Sequence, residues 1–293
     1  MKIAAAAYHP EWHADWDAMA AKLEAWVSGA ATKGADLLVF PEYAGVEAAL
    51  IGAPDGNDDP IRWRDAMARA ADDWAALHRD LAMRHGVTIL SGSLNAGRPD
   101  GVVNRAMLCT PEGATGAQDK LIPTPYERQA LQLIPGAELQ VFDTALARIG
   151  ILICYDSEFP LLARALLDAG ADLILVPSCT EQPAGQTRVR QSARARAIEG
   201  QCLVVQAPLV GTVPGCDIVD QNTGRAGIFC PPDYRLPADG IIAQGDTDIP
   251  GWTLAEVDLA HIGSARQTGQ VGNFAHWPEQ DHRIKSVTQI SLR

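Results

Sequence analysis

Three side chains with complementary chemistry stand far apart in the chain: the carboxyl of Glu42, the ammonium of Lys120 and the thiol of Cys154. A thiol attacks as its thiolate, a carboxylate can take the thiol proton, and a lysine can hold an oxygen that turns negative. Together they could attack an electron-poor carbon. Taken singly, each has a plainer reading. Cys154 could be a small buried packing residue. Glu42 could be a salt-bridge partner in a loop. Lys120, and Glu127 seven residues beyond it, could be solvated surface charges.

The elements around these residues decide which reading to prefer. Ile149 to Ile153 reads as a buried strand within R-I-G-I-L-I-C-Y-D-S-E-F-P, residues 148–160. Tyr155-Asp156-Ser157-Glu158 cannot continue it, and Phe159-Pro160 opens an apolar helix to Ala169. Cys154 therefore falls where a strand turns into a helix, and backbone N–H groups there favour a thiolate or an oxyanion. Glu42 follows Pro41 at the carboxyl end of a buried strand, Asp36 to Phe40, a usual place for sites in α/β proteins. Lys120 and Glu127 share a proline-stiffened stretch, 119–136, with little periodicity, read as a structured loop.

The remaining chain alternates strands and helices. Lys2 to Tyr8 reads as a strand. Asp15 caps a helix with Trp16, Met19, Leu23, Trp26 and Val27 on one face. Asp55 to Pro60 reads as a loop, and a helix follows to about Arg84, stopped by Gly86. Val87–Leu94 and Val102–Cys109 read as a hairpin, with a turn at Pro111-Glu112-Gly113. Later strands are expected at 139–143, 172–176, 202–208, 226–230, 240–244 and 252–258. A polar helix, 186–201, carries Arg188, Arg190, Arg194 and Arg196. Residues 34–42, G-A-D-L-L-V-F-P-E, echo 170–178, G-A-D-L-I-L-V-P-S, and suggest two similar halves. No linker-like composition divides the chain, so one domain, 1–293, is expected. From about residue 262 no pattern is evident, as in a tail or interface arm.

Composition narrows the partners. The net charge of −12 argues against nucleic acid and anionic membranes. No apolar run approaches a membrane span, and His9-Pro10-Glu11 cut short any signal core, so a cytoplasmic protein is expected. The six cysteines contain no C-x-x-C pair, which suits neither a zinc site nor a disulfide framework.

P-E-Y around Glu42, D-K-L-I-P-T-P-Y-E around Lys120 and C-Y-D-S-E-F-P around Cys154, in that order, resemble the nitrilase superfamily of carbon–nitrogen hydrolases. The resemblance extends from the first strand to about Asp258 and includes R-A-R-A-I-E-G-Q at 194–201. It implies an α/β fold, a four-layer α-β-β-α sandwich with pseudo-symmetric halves. It also implies a homodimer or higher homo-oligomer, without metal or cofactor. Glu42 would be the general base, Lys120 the oxyanion stabiliser, Cys154 the nucleophile and Glu127 a supporting glutamate. The Tyr155 backbone N–H would join Lys120 at the oxyanion. Such a site would cleave a small amide or carbamoyl compound through a thioester on Cys154.

Substrate contacts are read from position. Ser178, Cys179 and Thr180 follow the strand after the nucleophile strand. Tyr43 and Tyr126 stand beside motif residues. Arg188 or Arg190 could bind a substrate carboxylate, or could lie on a solvated helix face. Other readings remain open here: a nitrilase acting on C≡N, a silent binding or assembly protein, and a redox-sensing thiol with Cys179 as partner.

Overall fold

Strand β1 (Lys2–Ala7) carries four consecutive alanines, all buried. Alanine is a poor strand former, but its small side chain lets two layers approach closely from either face. The computed structural model, which describes residues 1–54 and 59–293, shows why such a strand is needed. Ala4, Ala6 and Tyr8 pack with Leu38, Phe40 and Ile89 against a helical layer. Ile3, Ala5 and Ala7 pack with Leu37, Val39 and Leu90 against a second sheet. This is the period-two alternation of a strand buried on both sides.

The chain continues through α1 (Trp16–Ala31), β2 (Leu37–Val39), α2 (Pro60–His85), β3 (Thr88–Arg98), β4 (Gly101–Cys109) and β5 (Thr115–Asp119). Asp15 caps α1 by accepting from the Ala18 N–H, and Gly86 ends α2 in the left-handed region. Next come α3 (Pro125–Gln129), β6 (Val141–Asp143), β7 (Arg148–Ile151), α4 (Pro160–Asp168), β8 (Leu173–Ser178), α5 (Pro183–Gly200) and β9 (Leu203–Pro208). The last part holds β10 (Gly211–Thr212), β11 (Gln221–Asn222), β12 (Gly227–Phe229), β13 (Ile241–Gln244), β14 (Gly251–Glu256), α6 (Leu259–Thr268) and α7 (Asn273–His276).

Two six-stranded sheets result, in the orders β14-β1-β2-β3-β4-β5 and β13-β12-β9-β8-β7-β6. Each has three parallel strands at its centre, β1-β2-β3 and β7-β8-β9. Each has one antiparallel strand on one side and an antiparallel pair on the other. The sequence echo falls on β2 and β8, which occupy the same place in the two sheets. Helices α1 and α2 cover one sheet, α4 and α5 the other, giving the expected four-layer sandwich of pseudo-symmetric halves. The sheets join through backbone bonds, Tyr8 N–H to Pro208 O at 3.0 Å and Val210 N–H to Tyr8 O at 2.9 Å.

Several sequence expectations shift. The loop expected at 55–60 falls outside the described residues over 55–58. Pro111-Glu112-Gly113 turns between β4 and β5, not within the β3–β4 hairpin, and β5 had no periodic signal. Stretch 119–136 is not all loop: α3 lies within it. Helix α6 spans residues on both sides of 262, with Ile262 and Ala265 buried, whereas 281–293 is exposed throughout. No helix among the described residues is long and apolar enough to cross a membrane.

Candidate active site

The carboxyl ends of β2 and β7 meet between the sheets, and the segment after β5 closes over them. Cys154 opens a short 3-10 turn, Cys154–Glu158, separated from the end of β7 by two residues, with φ of +48°. That region is strained for a side chain with a Cβ, and such strain persists where the surroundings hold it in place. Ser157 Oγ donates to Cys154 O at 2.6 Å, and Arg196 of α5 donates from Nη1 to Ser157 O at 2.9 Å. The turn is thus pinned from the helical layer. The thiol donates to Cys179 O at 3.5 Å.

Glu42 is buried. Its Oε1 accepts from Lys120 Nζ at 2.7 Å and Asn104 Nδ2 at 3.0 Å, and its Oε2 from the Cys179 N–H at 2.9 Å. Lys120, only 2% exposed, donates equally to Glu127 Oε2 at 2.7 Å. Glu127 also accepts from Tyr43 Oη at 2.9 Å, Asn104 Nδ2 at 3.0 Å and the Thr124 N–H at 2.7 Å. Its backbone N–H donates back to Thr124 Oγ1 at 3.2 Å, closing a capping box at the start of α3. A helix start therefore holds the carboxylate that holds Lys120.

Burial raises the proton affinity of Glu42; Lys120 opposes this and Glu127 adds to it. Glu42 is thus a stronger base than a carboxylate in water. Burial also lifts the Cys154 thiol well up, helped by Glu42 and opposed by Lys120. The resting thiol therefore keeps its proton. For Lys120, burial pulls downward, but Glu127 and Glu42 outweigh it and keep the ammonium charged. Burial would raise Glu127, but Lys120 and its other hydrogen-bond donors hold it below the usual carboxylate range. Two carboxylates on one ammonium end with opposite properties because Glu127 has more donors.

These groups open on a cavity of about 640 Å³. Tyr43, Tyr126, Tyr155, Cys179, Thr180 and Arg188 line it. Ser178 does not. It is buried below the cavity, its hydroxyl donating to Ala207 O at 3.3 Å, because its side chain falls on the other face of the strand end from its neighbours. Arg190 is also turned away, bonded to Gln244 Oε1 and stacked on Phe229. Arg188 faces Glu158 at 3.5 Å and shares the mouth with Glu181, Asp217 and Asp220, so the rim is mainly acidic. Tyr126 Oη donates to Asp217 Oδ2 at 3.1 Å across that mouth.

Three positions escaped the sequence reading. Asn104 bridges both glutamates from the middle of β4; its only signal was an amide within an apolar strand. Gly92, at φ +74°, sits where a Cβ would stand 2.1 Å from Pro41 O, directly beside the strand end that carries Glu42. Asp156, discussed below, lay inside the nucleophile motif. The T-P-Y-E of the capping box is itself a local sequence signal for the start of α3.

An α-β-β-α sandwich with a cysteine, a lysine and glutamates gathered between its sheets defines a class of hydrolase. A family model described as Carbon-nitrogen hydrolase matches residues 2–267, and the chain belongs to that family, within the nitrilase superfamily. It is 33% identical over 256 residues to Probable hydrolase YhcX of Bacillus subtilis (strain 168), covering 87% of this chain and 49% of that protein. The chain thus spans about half the length of that relative. It is 25% identical over 313 residues to Nitrilase 1 of Arabidopsis thaliana, 92% of this chain and 84% of that one. Among solved structures, Nit3 of Saccharomyces cerevisiae superposes with a TM-score of 0.72 at 20% identity, covering 91% of this chain and 93% of that one. An amidase from Nesterenkonia sp. superposes at 0.68 with 22% identity, covering 91% and 93%. These two likenesses speak to the fold.

Proposed function

We propose that the chain hydrolyses the C–N bond of a small non-peptide amide or carbamoyl compound through a thioester on Cys154, releasing an acid and ammonia or an amine. The observation that carries this reading is that Cys154, Glu42 and Lys120 line one cavity, with Lys120 Nζ 2.7 Å from Glu42 Oε1 and the carboxylate buried and of raised proton affinity. Glu42 takes the thiol proton as sulfur attacks the amide carbon. Lys120 and the Tyr155 N–H hold the oxygen as it becomes negative, a contribution of about 10²–10³ in rate per donor. The tetrahedral adduct collapses, Glu42 passes its proton to the departing nitrogen, and the thioester remains. Water then attacks the thioester carbon, giving its proton to Glu42. The acid leaves, and the thiol regains its proton.

Relatives of both kinds exist, Deaminated glutathione amidase of Yersinia enterocolitica and Nitrilase 1 of Arabidopsis thaliana, and the amide reading is the one put to the test. Exposed Ile284, Val287, Ile290 and Leu292 suit burial against a second copy of the chain. The test of the function is ammonia release from short aliphatic amides, ω-amides and N-carbamoyl amino acids. Wild type is expected to turn over members of this panel and Cys154→Ala none. Turnover surviving in Cys154→Ala would sink the nucleophile assignment. Activity confined to nitriles would transfer the reading to C≡N.

A further inference from the structure

Asp156 is buried two residues beyond Cys154, and the reaction as written does not use it. Its Oδ2 accepts from the Leu121 N–H at 3.1 Å and its Oδ1 from the Ile122 N–H at 2.8 Å. Those are the two residues after Lys120. The Lys120 backbone has two other anchors, both on its own side of the molecule. Its N–H donates to Asn104 O at 2.8 Å, and its carbonyl accepts from the Gly136 N–H at 2.7 Å. Asp156 alone among these ties the lysine segment, which follows the first sheet, to the nucleophile turn, which follows the second. Arg196 and Ser157 hold that turn from behind.

We propose that Asp156 is a positioning residue: it fixes the reach of Lys120 relative to Cys154, so that the ammonium meets the oxygen of the bound acyl group. The inference rests on the role given to Lys120 above. Both oxygens of the carboxylate are used as acceptors, one for each N–H. Protonation converts one of them to an O–H facing an N–H donor, and the clamp loses half its grip. The charged groups that act on Asp156 are Lys120, which favours its ionisation, and Glu42, which disfavours it. Burial dominates and pushes its carboxyl up to about 7. The clamp is therefore engaged above that pH and slackens below it.

Two thiol reagents separate positioning from simple structural support. Acrylamide adds to Cys154 through its β-carbon and sends charge onto its amide oxygen, where Lys120 acts. Methyl methanethiosulfonate is attacked at sulfur and places no charge there. Adduct formation at Cys154, followed by mass spectrometry, gives both rates, and any hydrolysis of acrylamide, itself a short amide, is read separately as ammonia. Asp156→Asn is expected to slow acrylamide addition by about 10–100-fold, the effect of a misplacement of about 1 Å. Its methanethiosulfonate rate should stay within about threefold of wild type. In wild type the ratio of the two rates should rise with pH through about 7, and in Asp156→Asn it should be flat. Equal slowing of both reagents, or an unchanged acrylamide rate, overturns the proposal. Lys120→Met serves as the control. If it fails to slow acrylamide selectively, the role of Lys120 falls first and this inference with it.

Discussion

Replacing Glu127 by glutamine keeps the shape of the side chain and removes its charge. All four groups around that carboxylate are donors: Lys120 Nζ, the Thr124 N–H, Tyr43 Oη and Asn104 Nδ2. Glutamine offers one acceptor oxygen. Its best placement faces that oxygen to Lys120 and Thr124, leaving its NH₂ against Tyr43 and Asn104. Tyr43 can rotate its hydroxyl to accept. Asn104 cannot turn round without presenting its oxygen to Glu42, so one donor is left facing another. Removing one partner of a buried ion pair costs about 3–5 kcal/mol. Lys120 keeps Glu42 here, so about 3 kcal/mol is the expected loss, or roughly two decades in kcat where it is felt in the transition state. The direction of the pH effect also follows. Glu127 is one of the charges that raise Glu42, and without it Lys120 pairs with Glu42 alone. Both changes lower the proton affinity of Glu42, so the acidic limb of kcat/KM should move to lower pH. The assay is ammonia release from the best amide across the pH range, for both enzymes. A Glu127→Gln enzyme with kcat within about threefold of wild type and an unmoved limb would refute the charge balance argued here.

Two further outcomes test the frame and the mouth of the site. Gly92→Ala should destabilise the protein by about 3 kcal/mol or more, from a left-handed backbone and a methyl driven into Pro41 O. Thermal unfolding reads this directly, and an unchanged Tm would show that the β2 end can move aside. With Arg188 already opposed by Glu158, and Glu181, Asp217 and Asp220 nearby, amides carrying a carboxylate should be poorer substrates than neutral or cationic amides of equal length. Asp220→Asn should narrow that difference through KM, and a wild-type preference for the anionic amide would reverse the assignment.

Much of the architecture was written in local pattern. Apolar periodicity, the Asp15 cap, the Gly86 stop and the proline-ended strands each act over a few residues, so the helices and central strands could be placed without knowing their neighbours. The echo of 34–42 in 170–178 marks β2 and β8 because equivalent strands in equivalent sheets meet the same burial. The chemical types at Glu42, Lys120 and Cys154, and their order, were likewise legible. Short edge elements were not: β5 pairs with β4 across the turn at 111–113, and β10 and β11 pair with each other, but their own residues lack an alternating face.

What only the tertiary structure decided is how those groups meet. The sharing of Lys120 by two glutamates, the bridge from Asn104 and the clamp of Asp156 all join segments remote along the chain. Hydrogen-bond geometry of that kind leaves no period in a sequence. Burial, which raises Glu42, and the donors that outweigh burial at Glu127 both depend on the whole sandwich closing over them. Ser178 and Arg190 show the converse. Both lie next in sequence to cavity residues, but a strand end and a helix face turn neighbouring side chains in different directions, so neither reaches the cavity.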